Sequence, residues 1–367
     1  MKVGIITFHF VNNFGGALQA YALQKTIVDE CKASVKIIDY RNWFIRFTDT
    51  VRLFPITLNP KEMKSGLQTM RQRFSRIRRM EEFINKNCQL TRKYRSGAAL
   101  RRHMPDCDKF VCGSDQIWNP FLTFGLREPY FLGFVQDKDK KISYAPSFGS
   151  SKLLSLIAKK IKMYLDDFSA ISLREQDGVV FVRQITGHDA VQLIDPTFLL
   201  KKEEWDAVSA KPKIKGKYIL LYIMQHDNNV YDYARRIKEK LGGGIQLVEI
   251  SRYGYRPDFV DVSLVDVDPR DFIGLFQNAD YICTNSYHGL VFSLIFEKDF
   301  CLVPCKKFYS RIRNLLTLLH IETSAFLSVN ESLSASYNKE AVGEAIAAER
   351  EKAVRYLQRA IYGEGQD

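Results

Sequence analysis

His288 sits in the passage Tyr281-Ile282-Cys283-Thr284-Asn285-Ser286-Tyr287-His288-Gly289, and imidazole is the side chain best suited to moving protons near neutral pH. The passage reads as a short buried strand, a polar corner and then a largely apolar helix over residues 290–297. In open parallel sheets the carboxyl ends of the strands face the ligand crevice, so a His at such a corner is a candidate general acid or base. Capping is the competing reading, because Ser286, Asn285 and Thr284 are ordinary residues at a helix start.

Other segments carry hydrogen-bonding or charged groups at predicted strand ends. Asn12-Asn13-Phe14-Gly15-Gly16-Ala17 follows the first strand and opens a helix. There Asn13, Gly15 and Gly16 could offer backbone N–H groups to an anion, or simply form a tight turn. The spacing fits neither a dinucleotide fingerprint nor a P-loop. Gly113-Ser114-Asp115-Gln116-Ile117-Trp118-Asn119 combines polar groups with one aromatic plane. Ser114, Asp115, Gln116 and Trp118 suit a polyhydroxylated acceptor, or else serve as turn formers and a core anchor. Arg174, in Ser172-Leu173-Arg174-Glu175, could grip a carboxylate or phosphate bidentately, or pair locally with Glu175 or Asp177. Lys306, Lys307, Arg311 and Arg313 follow a further strand, where they could bind phosphate or solvate a helix beginning near Ser310.

The elements that must position these residues alternate along the chain. Strand patterns at 2–8, 35–40, 110–112, 142–145, 171–174 and 191–194 are joined in part by helical patterns at 17–31 and 152–167. A Lys- and Pro-containing stretch at 201–217 marks a boundary. Beyond it strands at 218–224, 245–250, 281–284 and 300–303 alternate with helices at 230–241, 269–279 and 290–297. The fold class is therefore α/β with two doubly wound domains, 1–200 and 201–337. A helix at 338–361, with Val342, Ile346, Ala353, Leu357 and Ile361 on one side, is expected to pack across the junction.

The formal net charge of +12 is concentrated: residues 41–102 hold 16 Lys or Arg against four acidic residues, which accounts for the whole excess. This basic insertion, 41–104, is assigned to the first domain. Within it Met63, Leu67, Met70, Phe74, Ile77 and Ile84 recur at helical spacing, with Arg71, Arg76, Arg78 and Arg79 mostly off that stripe. Peripheral contact with an anionic membrane is one reading, and a solvated basic face whose apolar stripe packs on the protein is the other. No nucleic-acid-binding motif accompanies the charge, so nucleic acid is not an expected partner. No apolar run approaches the length needed to span a bilayer, and the first residues read as a strand of a cytoplasmic protein. Seven cysteines without a Cys-x-x-Cys pair point to reduced thiols, with no metal and no cofactor expected.

Taken together, residues 12–20 and 113–119, Ser143-Tyr144-Ala145-Pro146-Ser147-Phe148-Gly149, Ser172-Leu173-Arg174-Glu175, Asp195-Pro196-Thr197-Phe198 and Ser286-Tyr287-His288-Gly289 resemble the polysaccharide pyruvyl transferase family in order and approximate spacing. The resemblance implies two Rossmann-like domains facing a central cleft, as in GT-B glycosyltransferases. It also implies transfer of pyruvate from phosphoenolpyruvate, the donor substrate, to a sugar as a ketal in exopolysaccharide or capsule synthesis. The acceptor would be a saccharide, free or lipid-linked. By this resemblance His288 matches the general acid/base and Arg174 a basic residue associated with the anionic donor. The family's Arg two positions before that His is replaced by Ser286, and Lys306 and Arg311 are the candidate substitutes in the donor site. A GT-B-like nucleotide-sugar glycosyltransferase and a non-catalytic carbohydrate-binding relative remain the alternatives.

Overall fold

The computed structural model describes residues 1–42, 60–149, 154–225, 227–251, 257–303, 309–322 and 337–363. In chain order its elements begin β1 (Lys2–Ile6), α1 (Phe14–Cys31), β2 (Ser34–Ile37), α2 (Pro60–Gln68), α3 (Met70–Asn87), α4 (Gly97–Arg102) and β3 (Lys109–Cys112). They continue with β4 (Lys141–Ser143), α5 (Leu154–Leu165), β5 (Ile171–Leu173), α6 (Gln176–Thr186), β6 (Ala190–Gln192), α7 (Lys202–Asp206), β7 (Tyr218–Tyr222) and α8 (Asn228–Leu241). The last are β8 (Gln246–Ile250), β9 (Val262–Leu264), α9 (Pro269–Asn278), β10 (Tyr281–Thr284), α10 (Tyr287–Ile295), β11 (Phe300–Leu302), α11 (Tyr309–Leu318) and α12 (Lys339–Tyr362).

Two compact units result. In the first, a parallel sheet of order β2-β1-β3-β4 is continued by the parallel pair β5-β6, with a single bridge from Ile142 to Ala170 linking the two. The order reverses between β1 and β3, and such a switch point opens a crevice at the strands' carboxyl ends. Fully buried Trp118, Tyr130, Phe131 and Phe110 anchor the core. The second unit is a five-stranded parallel sheet, β11-β10-β7-β8-β9, whose order reverses between β7 and β10. Both are Rossmann-like arrangements, and the near-continuous apolar runs of β7 and β10 match strands covered on both faces.

The course of the chain differs from the expected boundaries in two places. The unit holding Lys201–Ala345 also takes in α2 and α3 as far as Phe83, so this part of the basic insertion does not belong to the first domain. Ile346 onward belongs to the first unit, and there Tyr356 donates its hydroxyl to the Ser143 carbonyl at 2.8 Å while Arg350 Nε donates to the Phe198 carbonyl at 2.8 Å. The stripe of Val342, Ile346, Ala353, Leu357 and Ile361 is buried as its spacing predicts.

The faces of α2 and α3 also differ from expectation. Met63, Leu67 and Phe74 are 43%, 56% and 46% exposed, whereas Arg73 and Arg76 are buried. The arginines turn inward because acceptors await them. Arg73 donates to the Gly66 carbonyl, Arg76 to the Ser251 and Val265 carbonyls, and Arg79 to Asp266, Asp268 and Asp271. Guanidinium groups matched to carbonyls and carboxylates can be buried where an unpaired cation could not.

Candidate active site

In the second unit, β10 ends at Thr284 and α10 begins at Tyr287, so His288 lies in the first turn of the helix and not on the corner before it. The corner stands at the β7/β10 switch point. Thr284 donates its hydroxyl to the Tyr222 carbonyl at 2.6 Å and accepts from the Ser286 backbone N–H at 3.0 Å. Asn285 accepts from the Met224 N–H at 2.8 Å and donates to the Gln225 carbonyl at 2.6 Å, tying the ends of the two strands together. Gly289 is required by close packing, since a Cβ there would lie 2.2 Å from Thr284 Oγ1. The Ser286 side chain forms no capping hydrogen bond, so the capping reading of this residue fails.

His288 is buried, 6% exposed, with its ring edge-on to Tyr287 at 5.3 Å. The guanidinium of Arg311, buried in α11, lies 5.9 Å from the Tyr287 ring centroid, within cation–π range. A cation from another element thus stands one aromatic ring away from the imidazole. Lys306 lies outside the described residues.

In the first unit the quoted motifs converge at the carboxyl ends of β3, β4 and β5. Ser143 and Ser172 exchange hydrogen bonds, the Ser143 hydroxyl donating to the Ser172 carbonyl at 2.9 Å and the Ser172 hydroxyl to the Ser143 carbonyl at 2.7 Å. Gly113 holds a φ of +124°, and a Cβ there would fall 2.1 Å from the Tyr144 carbonyl oxygen, so only glycine allows this approach. Asp115 follows with a left-handed φ of 62° and is buried beside the start of α1. Its Oδ2 would lie 3.7 Å from a Cβ on Gly16.

Several expected roles are not supported by this geometry. Ser114 is fully buried and donates to the Ala145 carbonyl at 2.6 Å, and Trp118 is a core residue, stacked on Phe131 at 5.0 Å with its Nε1 donating to the Tyr130 carbonyl. Neither presents a surface to a sugar. Half-buried Gln116 accepts from Asn119 at 2.8 Å. Asn13 caps α1 by accepting from the Gly15 N–H at 3.1 Å, and the Asp115 carboxylate stands close to Gly16. A turn already capped and flanked by negative charge is a poor anion cradle. Arg174 is buried among carboxylates: Nε donates to Glu175 at 3.0 Å, Nη1 to Asp195 at 2.8 Å, and Asp115 lies 3.9 Å away. One cation among three anions leaves no net positive charge to grip a donor.

Two clusters escaped the sequence. His9 Nε2 lies 3.0 Å from Asp39, and Arg41 Nε donates to the same carboxylate at 2.6 Å, all near the carboxyl ends of β1 and β2. Burial alone would raise the Asp39 carboxyl, but the hydrogen bonds from His9 and Arg41 outweigh it and hold it at about 2. In the second unit burial pushes Glu249 up to about 7, partly offset by the Tyr231 hydroxyl donated to it at 2.7 Å. Single charged residues inside apolar strand patterns were the available signal.

The sequence profile of the family described as polysaccharide pyruvyl transferase matches residues 13–306, spanning the motifs of both units. The chain belongs to the polysaccharide pyruvyl transferase family. It is therefore a member of a transferase family. No curated protein matches the sequence. Among solved structures, a UDP-GlcNAc 2-epimerase from Neisseria meningitidis bound to UDP-GlcNAc is similar at TM-score 0.46 and 9% identity, covering 98% of this chain and 97% of that one. The S. aureus MnaA–UDP structure gives 0.44 and 12%, covering 99% and 93%. The glycosyltransferase SnogD from Streptomyces nogalater gives 0.38 and 12%, covering 98% and 95%. Among the described residues no helix is long and apolar enough to cross a membrane, and no group of acidic, His and Cys side chains has the arrangement of a metal site.

Proposed function

We propose that this polysaccharide pyruvyl transferase family member transfers pyruvate from phosphoenolpyruvate to two hydroxyls of a saccharide as a ketal. The observation that carries the reading is His288 in the first turn of a helix at a sheet switch point, with buried Arg311 behind its neighbour Tyr287. Arg311 supplies from α11 the cation that Ser286 cannot. Arg174, its guanidinium occupied by Glu175 and Asp195, acts as a positioning residue for the buried carboxylates around it, Asp115 included.

In the first step one acceptor hydroxyl adds to C2 of phosphoenolpyruvate, its proton passing to water, while the methylene carbon takes a proton from His288 and becomes a methyl group. A tetrahedral carbon bearing phosphate results. The second hydroxyl then forms a bond to C2, the C2–O bond to phosphate breaks, and the hydroxyl proton is taken by the now basic His288. The products are a cyclic ketal and inorganic phosphate. Imidazole suits both proton steps because its ordinary range lies near neutrality.

Thermal-shift titration tests the donor, since a ligand that binds only the folded state raises the apparent stability. Phosphoenolpyruvate should raise the melting temperature and nucleotide sugars should not. Stabilisation by a nucleotide sugar alone would overturn the proposal in favour of glycosyl transfer. No response to either would also sink it and leave a binding protein.

A further inference from the structure

We propose that the outward face of α2 and α3 docks this protein on an anionic lipid surface. Single exposed apolar side chains on a protein surface require no explanation, but a contiguous stripe does. Met63, Leu67 and Phe74 are exposed, with half-buried Met70 between them. Met63 and Leu67 are one turn apart in α2 and share a face of it, and Met70 and Phe74 stand in the same relation in α3. Exposed Lys64 and Arg71 flank the stripe, and neither forms an ion pair among the described residues. The same two helices bury Arg73 and Arg76 and turn Arg79 onto three aspartates. The start of this helix pair thus spends arginines inside while presenting methionine, leucine and phenylalanine outside, whereas further along α3 buries Met80, Phe83 and Ile84 in the ordinary way.

A bilayer with anionic headgroups fits this face best. Apolar side chains enter the headgroup boundary while flanking cations meet lipid phosphates, and the stems of Lys and Arg cover apolar surface. A second copy of the chain fits less well, because a symmetric contact would set Lys64 and Arg71 against their own counterparts. Nucleic acid would satisfy the cations but would leave Met63 and Leu67 without apolar cover. The docking requires no particular donor or acceptor.

The test is co-sedimentation of the full chain with phosphatidylcholine vesicles, with and without phosphatidylglycerol, at low and high salt. We expect binding to the anionic vesicles alone, weakened by salt. Leu67→Ser with Phe74→Ser should weaken it about tenfold, and Lys64→Ala with Arg71→Ala should weaken it about fivefold per residue. Circular dichroism and melting temperature should be unchanged in both variants, since the side chains are exposed. Absence of binding to anionic vesicles at low salt overturns the proposal, as does binding unaffected by the serine pair. A large loss of melting temperature in the serine pair without an effect on vesicles would mean that the chain's own residues cover the stripe. Concentration-dependent dimer mass without lipid, abolished by the serine pair, would mean that a second copy does.

Discussion

Arg174 Nη1 donates to Asp195 Oδ2 at 2.8 Å, joining residues 21 apart in sequence in a fully buried pair. Asp195 in turn accepts from the Thr197 backbone N–H at 3.1 Å and from its hydroxyl at 2.7 Å, so the carboxylate is held on both sides. Removing the guanidinium would leave Asp195, Glu175 and Asp115 buried around an uncompensated negative charge. Arg174→Ala should therefore lower unfolding free energy by about 3–5 kcal/mol in chemical denaturation. Arg174→Lys should recover only part of this, because a point charge cannot bond Glu175 and Asp195 together as the planar group does. A variant as stable as the parent would show that the cluster does not hold the first unit together.

For His288 the decisive comparison is between chemistry and folding. His288→Gln should reduce turnover about 10²–10⁴-fold, the scale of a lost acid/base group, with little change in melting temperature. Arg311→Lys should raise KM for phosphoenolpyruvate about tenfold or more, the scale of one charged hydrogen bond, with a smaller effect on kcat. Retention of full turnover by His288→Gln would remove the imidazole from the mechanism.

Glu249 gives a pH signature. Its folded value of about 7 lies above the ordinary 4.5, so the neutral acid stabilises the fold at low pH, and this contribution is lost as pH rises through about 7. Glu249→Gln mimics the neutral form, so its advantage over the parent should grow as pH rises from about 4.5 to about 7, by a few degrees in melting temperature. Parallel melting curves for the two proteins across that range would contradict the assignment.

The contact between Gly289 and Thr284 can be read by a double-mutant cycle. Gly289→Ala forces a Cβ into Thr284 and should cost about 1–3 kcal/mol, the usual scale of overpacking. Adding Thr284→Ala removes the Oγ1 and Cγ2 contacts and leaves only the 2.9 Å approach to the Cβ, so the two changes should couple by about 1 kcal/mol. Strict additivity in urea unfolding would refute the packing argument.

The parallel strands, the apolar stripe of α12 and the strand-to-helix corner before His288 were legible because each rests on local pattern. Apolar runs of strand length and a 3.6-residue period survive into the fold whatever lies beside them. What was not legible depends on partners far along the chain. Nothing near Arg73, Arg76 and Arg79 announces the carbonyls of Ser251 and Val265 or the aspartates at 266, 268 and 271. The inward turn of these helices thus runs against the periodicity of Met63, Leu67 and Phe74. Likewise Trp118 and Ser114 have the composition of a sugar site but are consumed by Tyr130 and Ala145. Arg174 illustrates the same limit: its local partner Glu175 was visible in sequence, whereas Asp195 required the fold.

The interleaving of the two units bears on how this polypeptide emerges from the ribosome. Helix α3 is synthesised well before Ser251 and Asp266–Asp271, and the first sheet leaves the exit tunnel long before Tyr356 and Arg350 arrive to bond Ser143 and Phe198. Neither half can finish folding as an early, self-contained piece. The nascent chain must carry immature first-sheet surface until Arg350 and Tyr356 have been made, and a stop before Ser251 would deprive α3 of its acceptors as well.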